Sequence, residues 1–201
     1  VYIGDIKDNY FLDRIFAVNE VSAIIHTAAI KYVSVSNDNP ISTLETNVVG
    51  SYNLVKRAKD YGIKEFVGVS TDKAIMPTNI YGNSKRLMEK LFIGNGFTVV
   101  SGVNFFGSSG SVLDVWHKQM IQKKPLTLTD KSCIRYFVEV DDMVDLIFES
   151  IGKKGIFYPT EVFEIRLESL LRIFMKIFDY SDYEITGLLP GEKLIEDKSD
   201  Y

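Results

Sequence analysis

The first half of the chain alternates between short apolar runs and longer segments in which apolar positions recur every three or four residues. The apolar runs have the length and continuity of strands buried on both faces of a sheet, and they cover residues 23–29, 66–69 and 97–103. Helical spacing covers residues 10–18, 40–59 and 81–92. This alternation predicts an α/β protein with a doubly wound parallel sheet and right-handed crossovers.

The two ends of the chain are less regular. Residues 1–6 are typical of the end of a strand that runs into a turn. In the second half, apolar spacing predicts helices over 112–123, 141–151 and 167–178, and strands over 126–129 and 183–185. We expect residues 170–178 to be the buried face of a helix. We divide the chain near residue 110 and expect some segments of 111–201 to return to the core of 1–110.

Composition narrows the functional classes. Hydrophobic residues make up 46% of the 201 residues and charged residues 25%, as in a soluble globular protein. A formal net charge of −4 gives no reason to expect nucleic acid or an anionic membrane as a partner. No apolar run approaches the roughly 20 residues needed to cross a bilayer. The single cysteine, Cys133, excludes an internal disulfide and a cysteine metal cluster, so we expect a cytoplasmic protein without a metal site.

Reactive side chains are concentrated around the turn between the strand at 66–69 and the helix at 81–92. Tyr81 and Lys85 lie four residues apart and therefore share one face of a helix. A nearby cation favours the phenolate and lowers a tyrosine pKa from its ordinary value of about 10, which suits proton transfer from an alcohol. Asp72 and Lys73 follow the strand, where open α/β sheets bind ligands. The residues alone also allow a plainer interpretation, a half-exposed tyrosine beside a solvated lysine after an ordinary polar loop.

A family resemblance favours the catalytic interpretation. The stretch from Ser70 to Glu89 resembles the signature of the nucleotide-sugar 4,6-dehydratases that invert at C5 of UDP-N-acetylglucosamine, which are extended short-chain dehydrogenase/reductase proteins. Nearly the whole chain shares the resemblance. Further matching segments, in the family's order, are His26–Val33, Asn39–Pro40, Thr46–Asn47, Gly107–Ser108, Pro125–Asp130, Arg135–Phe137 and Pro190–Leu194. The family implies a Rossmann-like, NADP-binding part at 1–110 and a small, mainly substrate-binding α/β part at 111–201.

The resemblance also implies a role for each catalytic residue. Tyr81 would take the proton from O4 of the hexose, with Lys85 lowering its pKa and contacting the nicotinamide ribose. Lys73 would remove the C5 proton, which requires a lowered pKa. Asp72 would protonate the departing C6 hydroxyl, which requires that its carboxyl stay neutral. The bound NADP would accept and return the hydride.

The remaining candidates bind cofactor or substrate by the same resemblance. The residues matching cofactor positions are Asp5, Ile6, Ala28, Ala29, Lys31 and Asn47, together with Tyr81 and Lys85. The residues matching substrate positions are Thr71, Asn104 and Arg135. We expect His26 to be a core histidine rather than a catalyst. Relatives assemble as dimers or hexamers, so the resemblance implies a homo-oligomer that acts on a nucleotide sugar.

The chain departs from the family in two ways. It contains no glycine-rich turn of the kind that holds a dinucleotide pyrophosphate, so we expect an N-terminally truncated fragment whose sheet lacks its first strands. Ser101, Ser109 and Leu189 stand where the family usually has arginines, which should weaken substrate binding or shift it to another nucleotide sugar. Two alternatives therefore remain, a nucleotide-sugar 4-epimerase and a non-catalytic homologue that serves as a binding or oligomerisation module.

Overall fold

The computed structural model describes residues 1–197 as alternating strands and helices. The strands are β1 (Ala23–His26), β2 (Glu65–Thr71), β3 (Thr98–Gly102), β4 (Asn104–Phe105), β5 (Leu126–Leu128), β6 (Ile134–Val138), β7 (Gly155–Phe157), β8 (Phe163–Arg166) and β9 (Tyr183–Ile185). The α-helices are α1 (Asn9–Val18), α2 (Val33–Asp38), α3 (Pro40–Leu44), α4 (Ser51–Asp60), α5 (Ile80–Gly94), α6 (Val112–Ile121), α7 (Val140–Glu149) and α8 (Leu167–Phe178).

The main sheet of the described residues is parallel, with strand order β1-β2-β3-β7. Ser70 on β2 lies opposite Ser101 on β3, and Thr71 lies opposite Gly102. The carboxyl ends of the two central strands therefore meet at one edge, where Asp72 and Val103 follow them. The α/β class and the parallel sheet predicted from the apolar runs are confirmed.

Helices cover both faces of this sheet, as the doubly wound prediction requires. On one face Phe66 packs against Phe92 of α5 with ring centroids 4.6 Å apart. A Cβ at Gly68 would lie 2.6 Å from that Phe92 ring, so glycine lets α5 approach β2. On the other face, Val67 and Val100 form a cluster with Met143 of α7. The second half of the chain thus returns to the core of the first through α7 and β7.

A second hydrophobic core lies beside the sheet. It is formed around Trp116 by Leu126, Leu128, Leu171 and Phe174, all of them buried. Two small sheets flank it, β4-β6-β8 and β5-β9. The indole of Trp116 donates to the Thr127 carbonyl at 2.7 Å, which satisfies its one polar group.

Two sequence predictions were wrong in detail. Within 170–178, Leu171 and Phe174 are buried, but Ile173 and Ile177 are 57% and 70% exposed, so α8 buries only one stripe. Residues 1–6 form no strand; Val1 and Ile3 lie exposed, and no strand of the described residues pairs with them. A strand needs a neighbour to accept its backbone hydrogen bonds, and an apolar pattern alone does not supply one.

The helix predicted over 40–59 is real but not uniform. A π-helical segment, Glu45–Gly50, joins α3 to α4 and turns Asn47 and Gly50 inward. A Cβ at Gly50 would lie 2.6 Å from Ile6, so the wide turn and the glycine together bring the backbone against residue 6. Helix α2 was not expected, because its sequence between residues 33 and 38 is polar and short.

Candidate active site

The catalytic candidates come together because the turn after β2 packs directly on helix α5. Asp72–Ala74 forms a short 3₁₀ helix, and the side chain of Asn79 caps α5 by accepting from the Gly82 N–H at 2.8 Å. A Cβ at Gly82 would lie only 2.1 Å from the Lys73 carbonyl oxygen. Glycine at this position is what allows the turn that carries Asp72 and Lys73 to lie beside Tyr81.

Three side-chain oxygen atoms lie close to the amine of Lys73. Its Nζ donates to Asp72 Oδ1 at 3.2 Å and to Asn104 Oδ1 at 3.3 Å, and it lies 3.5 Å from Glu196 Oε1. Burial lowers the pKa of Lys73, but Asp72 and then Glu196 raise it, and the result lies above the ordinary value. The expectation of a lowered pKa was therefore wrong for this structure, because two carboxylates outweigh the burial.

Asp72 is 3% exposed and uses only one of its two oxygens. Its Oδ1 accepts from the Thr71 hydroxyl at 2.8 Å and from the Lys73 N–H at 2.9 Å. The other oxygen, Oδ2, is buried and has no hydrogen-bond partner among the described residues. A buried acceptor without a partner is costly, and it is the kind of group that a bound ligand satisfies.

Tyr81 is buried on α5, directly behind these two residues. Burial raises its pKa above the ordinary value, while the charge of Lys73 and a hydrogen bond with Thr71 act in the opposite direction. The cation that favours its phenolate is therefore Lys73, not Lys85 as the four-residue spacing suggested.

Lys85 points into the sheet rather than toward Tyr81. Its Nζ donates to the Val69 carbonyl at 2.5 Å and lies 3.4 Å from Met88 Sδ. Burial lowers its pKa to about 8, although Glu89 counteracts the shift. Its 3% exposure leaves little room for a nicotinamide ribose to reach the ammonium.

A cavity of about 240 Å³ opens at the carboxyl edge of β2 and β3. Its wall includes Asp72, Ile75, Ser101, Gly102, Val103, Tyr136, Tyr158, Pro159, Thr160, Val162 and Asp197. Asp72 thus lies on the wall of a cavity at the sheet edge where open α/β folds bind ligands.

The substrate-side candidates surround Lys73 at this edge. Asn104 donates to the Tyr136 carbonyl at 2.9 Å while its Oδ1 accepts from Lys73, so it fixes the amine. Arg135 donates to the carbonyls of Ile134 and Leu194, and its Nε lies 3.7 Å from Glu196 Oε1. Thr71 is engaged with Asp72. Thr71 and Asn104 therefore contact Asp72 and Lys73 directly, and Arg135 is linked to Lys73 through Glu196.

The cofactor candidates fall into two groups. Asp5, Ala28 and Lys31 are exposed, with Ala28, Ala29 and Lys31 beyond the carboxyl end of β1. An acceptor carboxylate, small side chains and a cation are the kinds of group that suit a nicotinamide dinucleotide. Ile6, Asn47 and Lys85 instead face inward. Asn47 binds both the N–H and the carbonyl of Ile30 and also Ser84, and Ile6 packs on the first core.

His26 behaves as the predicted core histidine. It is 3% exposed, and its Nε2 lies 2.8 Å from the Ser51 hydroxyl. Burial, with a smaller contribution from the charge of Lys85, lowers its pKa to about 4. His26 is therefore neutral at physiological pH and holds β1 to α4.

Two carboxylates at the site were missed from the sequence. Glu196 contacts Lys73 and Arg135, although the family resemblance fades after Leu194. Glu89, quoted only as a matching position, is buried and accepts from the Ser70 hydroxyl at 2.6 Å and from Arg86 at 3.0 Å. The sequence shows Glu196 only as an acidic residue just beyond a matching segment. Its position along the chain does not indicate that it contacts Lys73.

Comparison with known proteins supports the resemblance. A family model described as a polysaccharide biosynthesis protein matches residues 1–198. An inverting UDP-N-acetylglucosamine 4,6-dehydratase from Campylobacter jejuni is 32% identical over 97% of this chain and 60% of its own length. A UDP-glucose 4-epimerase from Rickettsia massiliae is equally similar, 32% over 97% of this chain and 60% of its own length. The chain spans about 60% of the length of these curated relatives.

Solved structures agree on the fold. The protein Pen from Bacillus thuringiensis superposes with a TM-score of 0.88 at 31% identity, covering 96% of this chain and 63% of that one. A dTDP-glucose 4,6-dehydratase from Streptomyces venezuelae, solved with NAD, gives 0.85 at 23% identity, covering 96% and 68%. The parallel sheet is therefore of the Rossmann type found in short-chain dehydrogenase/reductase proteins. Within residues 1–197, no helix is both long and apolar enough to span a bilayer, and no cluster of side chains could hold a metal ion.

Proposed function

Because the chain belongs to the polysaccharide biosynthesis protein family, we propose that it carries the catalytic centre of an NADP-dependent 4,6-dehydratase. The substrate would be UDP-N-acetylglucosamine, and the product a UDP-4-keto-6-deoxy hexose inverted at C5. The sugar would serve a surface polysaccharide or a glycosylated protein. Since the chain spans about 60% of its curated relatives, the proposal concerns the complete protein that contains this segment.

One observation carries the proposal, the direct contact between Asp72 and Lys73 at the end of β2. An elimination needs a group that removes the C5 proton and a group that protonates the leaving C6 hydroxyl. Lys73 Nζ and Asp72 Oδ1 lie 3.2 Å apart, and Tyr81 lies behind them on α5. Asp72 lines the cavity and Lys73 contacts Asp72, so we infer that the two proton transfers serve a single bound sugar.

Each residue then has one task at one atom. Tyr81 receives the O4 proton as C4 is oxidised, which makes the neighbouring C5 proton acidic. Lys73 receives that proton, and Asp72 gives one to O6, which leaves as water. As hydride returns to C6, C5 takes a proton from solvent on its opposite face, and proton exchange with solvent restores Tyr81, Lys73 and Asp72. Bound NADP supplies hydride acceptance from C4 and hydride return to C6. Asp5, Ala28, Ala29 and Lys31 would line its site, while Asn47 and Lys85 brace the strand ends from inside.

A 4-epimerase is the second candidate, because curated epimerases are as similar to the chain as the dehydratases are. An epimerase needs a tyrosine to exchange the O4 proton but has no leaving hydroxyl. It therefore has no use for an acid and a base beside each other at the end of β2. The Asp72–Lys73 contact favours the dehydratase.

The two functions give different products from the same substrate. We expect the complete protein with UDP-N-acetylglucosamine to yield a 4-keto-6-deoxy sugar, identified by its C6 methyl signal in the proton NMR spectrum. Asp72→Asn should retain substrate binding and lose this product. A 4-epimer with an intact C6 hydroxymethyl group would instead establish the epimerase.

We also propose that the complete protein is cytoplasmic and forms a homo-oligomer. Sedimentation of the complete protein would test the oligomer.

A further inference from the structure

Glu196 is a buried carboxylate to which the proposed reaction gives no task. It is 6% exposed, and its Oε1 lies 3.5 Å from Lys73 Nζ and 3.7 Å from Arg135 Nε. A buried carboxylate is unfavourable unless it is paired, and these two cations pair it. One side chain therefore bridges the proposed base and an arginine that matches a substrate-binding position.

Three oxygen atoms surround the amine of Lys73, whose side chain is 19% exposed. An ammonium has three N–H donors. Among the described residues, the oxygens around Nζ are Asp72 Oδ1 at 3.2 Å, Asn104 Oδ1 at 3.3 Å and Glu196 Oε1 at 3.5 Å. Two of these contacts are hydrogen bonds, and the third is an ion pair that must weaken for Lys73 to lose its proton and act as a base. The contact with Glu196 is the longest.

Glu196 can leave Lys73 without loss of the segment that carries it, residues 193–197. Lys193 Nζ donates to the carbonyls of Ile75 and Met76 at 3.0 and 2.8 Å, and Ile195 forms a bridge with Ile134. These contacts hold the backbone, so a rotation of the Glu196 side chain is sufficient. The neighbouring Asp197 lines the same cavity as Asp72, which places the movement beside the space for the sugar.

We propose that Glu196 is a positioning residue that holds the Lys73 amine in the substrate-free enzyme and is displaced from Lys73 and Arg135 when the nucleotide sugar binds. The inference rests on the proposed function, since it requires Lys73 to act on a bound sugar. Asp72 in its own turn, Tyr81 in α5 and Glu196 in the segment 193–197 are the titratable groups that face Lys73. Asn104 of β4 adds a neutral amide, and Arg135 of β6 acts through Glu196.

The substitution Glu196→Gln tests the displacement, because it keeps the shape of the side chain and removes its charge. In this variant the substrate displaces a neutral amide from Lys73 and Arg135 instead of a charged carboxylate. In the complete NADP-loaded protein we expect KM for UDP-N-acetylglucosamine to fall about tenfold while kcat stays within about twofold, because the contact opens before the chemical step. Glu196→Asp keeps the charge and should return KM toward that of the unaltered protein.

Glu192→Gln is the matched control. Glu192 lies just before the same segment and accepts from the Leu189 N–H at 3.1 Å, so its loss loosens this region without touching Lys73. We expect the KM of Glu192→Gln to be unchanged.

Calorimetric titration with UDP-N-acetylglucosamine separates this inference from the proposed function. If no dehydrated sugar forms, the proposed function fails, whereas tighter binding by Glu196→Gln still supports displacement. Unchanged, weaker or undetectable binding by that variant overturns the inference.

Discussion

Lys85 is buried and Lys73 is partly buried, and their pKa values move in opposite directions. The pKa of Lys85 falls to about 8 because burial dominates and its close contacts are a carbonyl and a thioether. For Lys73 burial acts in the same sense, but Asp72 and Glu196 reverse the outcome. The presence of carboxylate partners therefore decides which lysine carries a firmly held proton. As a base, Lys73 must release that proton when substrate rearranges its partners.

Lys85→Met should stabilise the protein at neutral pH. Below pH 8 Lys85 is charged in both the folded and unfolded states, so the folded state bears the cost of burying the charge. We expect a gain in unfolding free energy of roughly 2 kcal/mol at pH 7, after allowing for the lost hydrogen bond to Val69. The gain should shrink as pH rises from about 8 toward the ordinary value of 10.5. Urea unfolding at pH 7 and at higher pH measures it, and an equally large gain at both would contradict the assignment.

His26 should make the fold acid-sensitive. Its pKa is about 4 in the folded state against 6.5 ordinarily, so the unfolded state binds more protons between these values. The contribution of His26 to the unfolding free energy is therefore fully present above pH 6.5. It decreases by about 3 kcal/mol as the pH falls toward 4. Urea unfolding of His26→Gln should show a smaller loss over that range. His117→Gln, which alters the exposed histidine of α6, should keep the full loss.

At the scale of elements, the turn after β2 and helix α5 form one unit held by a close backbone approach. Gly82→Ala would place a Cβ 2.1 Å from the Lys73 carbonyl and push the turn away. We expect a destabilisation of about 2–3 kcal/mol and a loss of turnover. Gly94→Ala on the same helix is the control, since no heavy atom beyond its chain neighbours and its own helix backbone would lie within 4 Å of the added Cβ. It should be neutral or stabilise by about 0.5–1 kcal/mol.

The sequence predicted most elements because each depends on local pattern. The apolar runs gave β1, β2 and β3, and helical spacing gave α5 and α8, within a few residues of their bounds. The π segment Glu45–Gly50 could not be predicted, because it depends on Asn47 finding Ile30 and Ser84 as partners. The parallel direction of the strands followed from the alternation of strands and helices, whereas a strand at residues 1–6 depended on a neighbouring strand that the pattern cannot supply.

At the scale of the whole molecule, the two halves are interwoven rather than separate. Val138 and Met143 from the second half pack with Val67 and Val100 of the sheet. The site also depends on contacts between distant parts of the chain. The local motif therefore suggested Asp72, Lys73 and Tyr81 as candidates but did not predict the direction of the Lys73 pKa shift. Asp72 and then Glu196 raise the pKa of Lys73, and Glu196 is distant along the chain and lies outside the clearest family match.

This interweaving predicts a single unfolding transition. The chain has one tryptophan, Trp116, and it reports on the second core, while far-ultraviolet circular dichroism reports on all elements. We expect the two signals to give coincident urea transitions, because α7 and β7 tie the second half to the sheet. A tryptophan transition at a distinctly lower urea concentration would show instead that residues 111–201 unfold as an independent domain.

The convergence of Asp72, Lys73 and Tyr81 on one hexose is tested most directly by the source of the hydrogen at C5. The complete protein and UDP-N-acetylglucosamine, incubated in deuterated water, should give a product that has lost water and carries one solvent deuteron at C5. Lys73→Met should form no such product and incorporate no deuterium, with its circular dichroism unchanged. Two results would contradict the account. One is a hexose that keeps its C6 oxygen and gains no carbon-bound deuterium, and the other is undiminished C5 exchange in Lys73→Met.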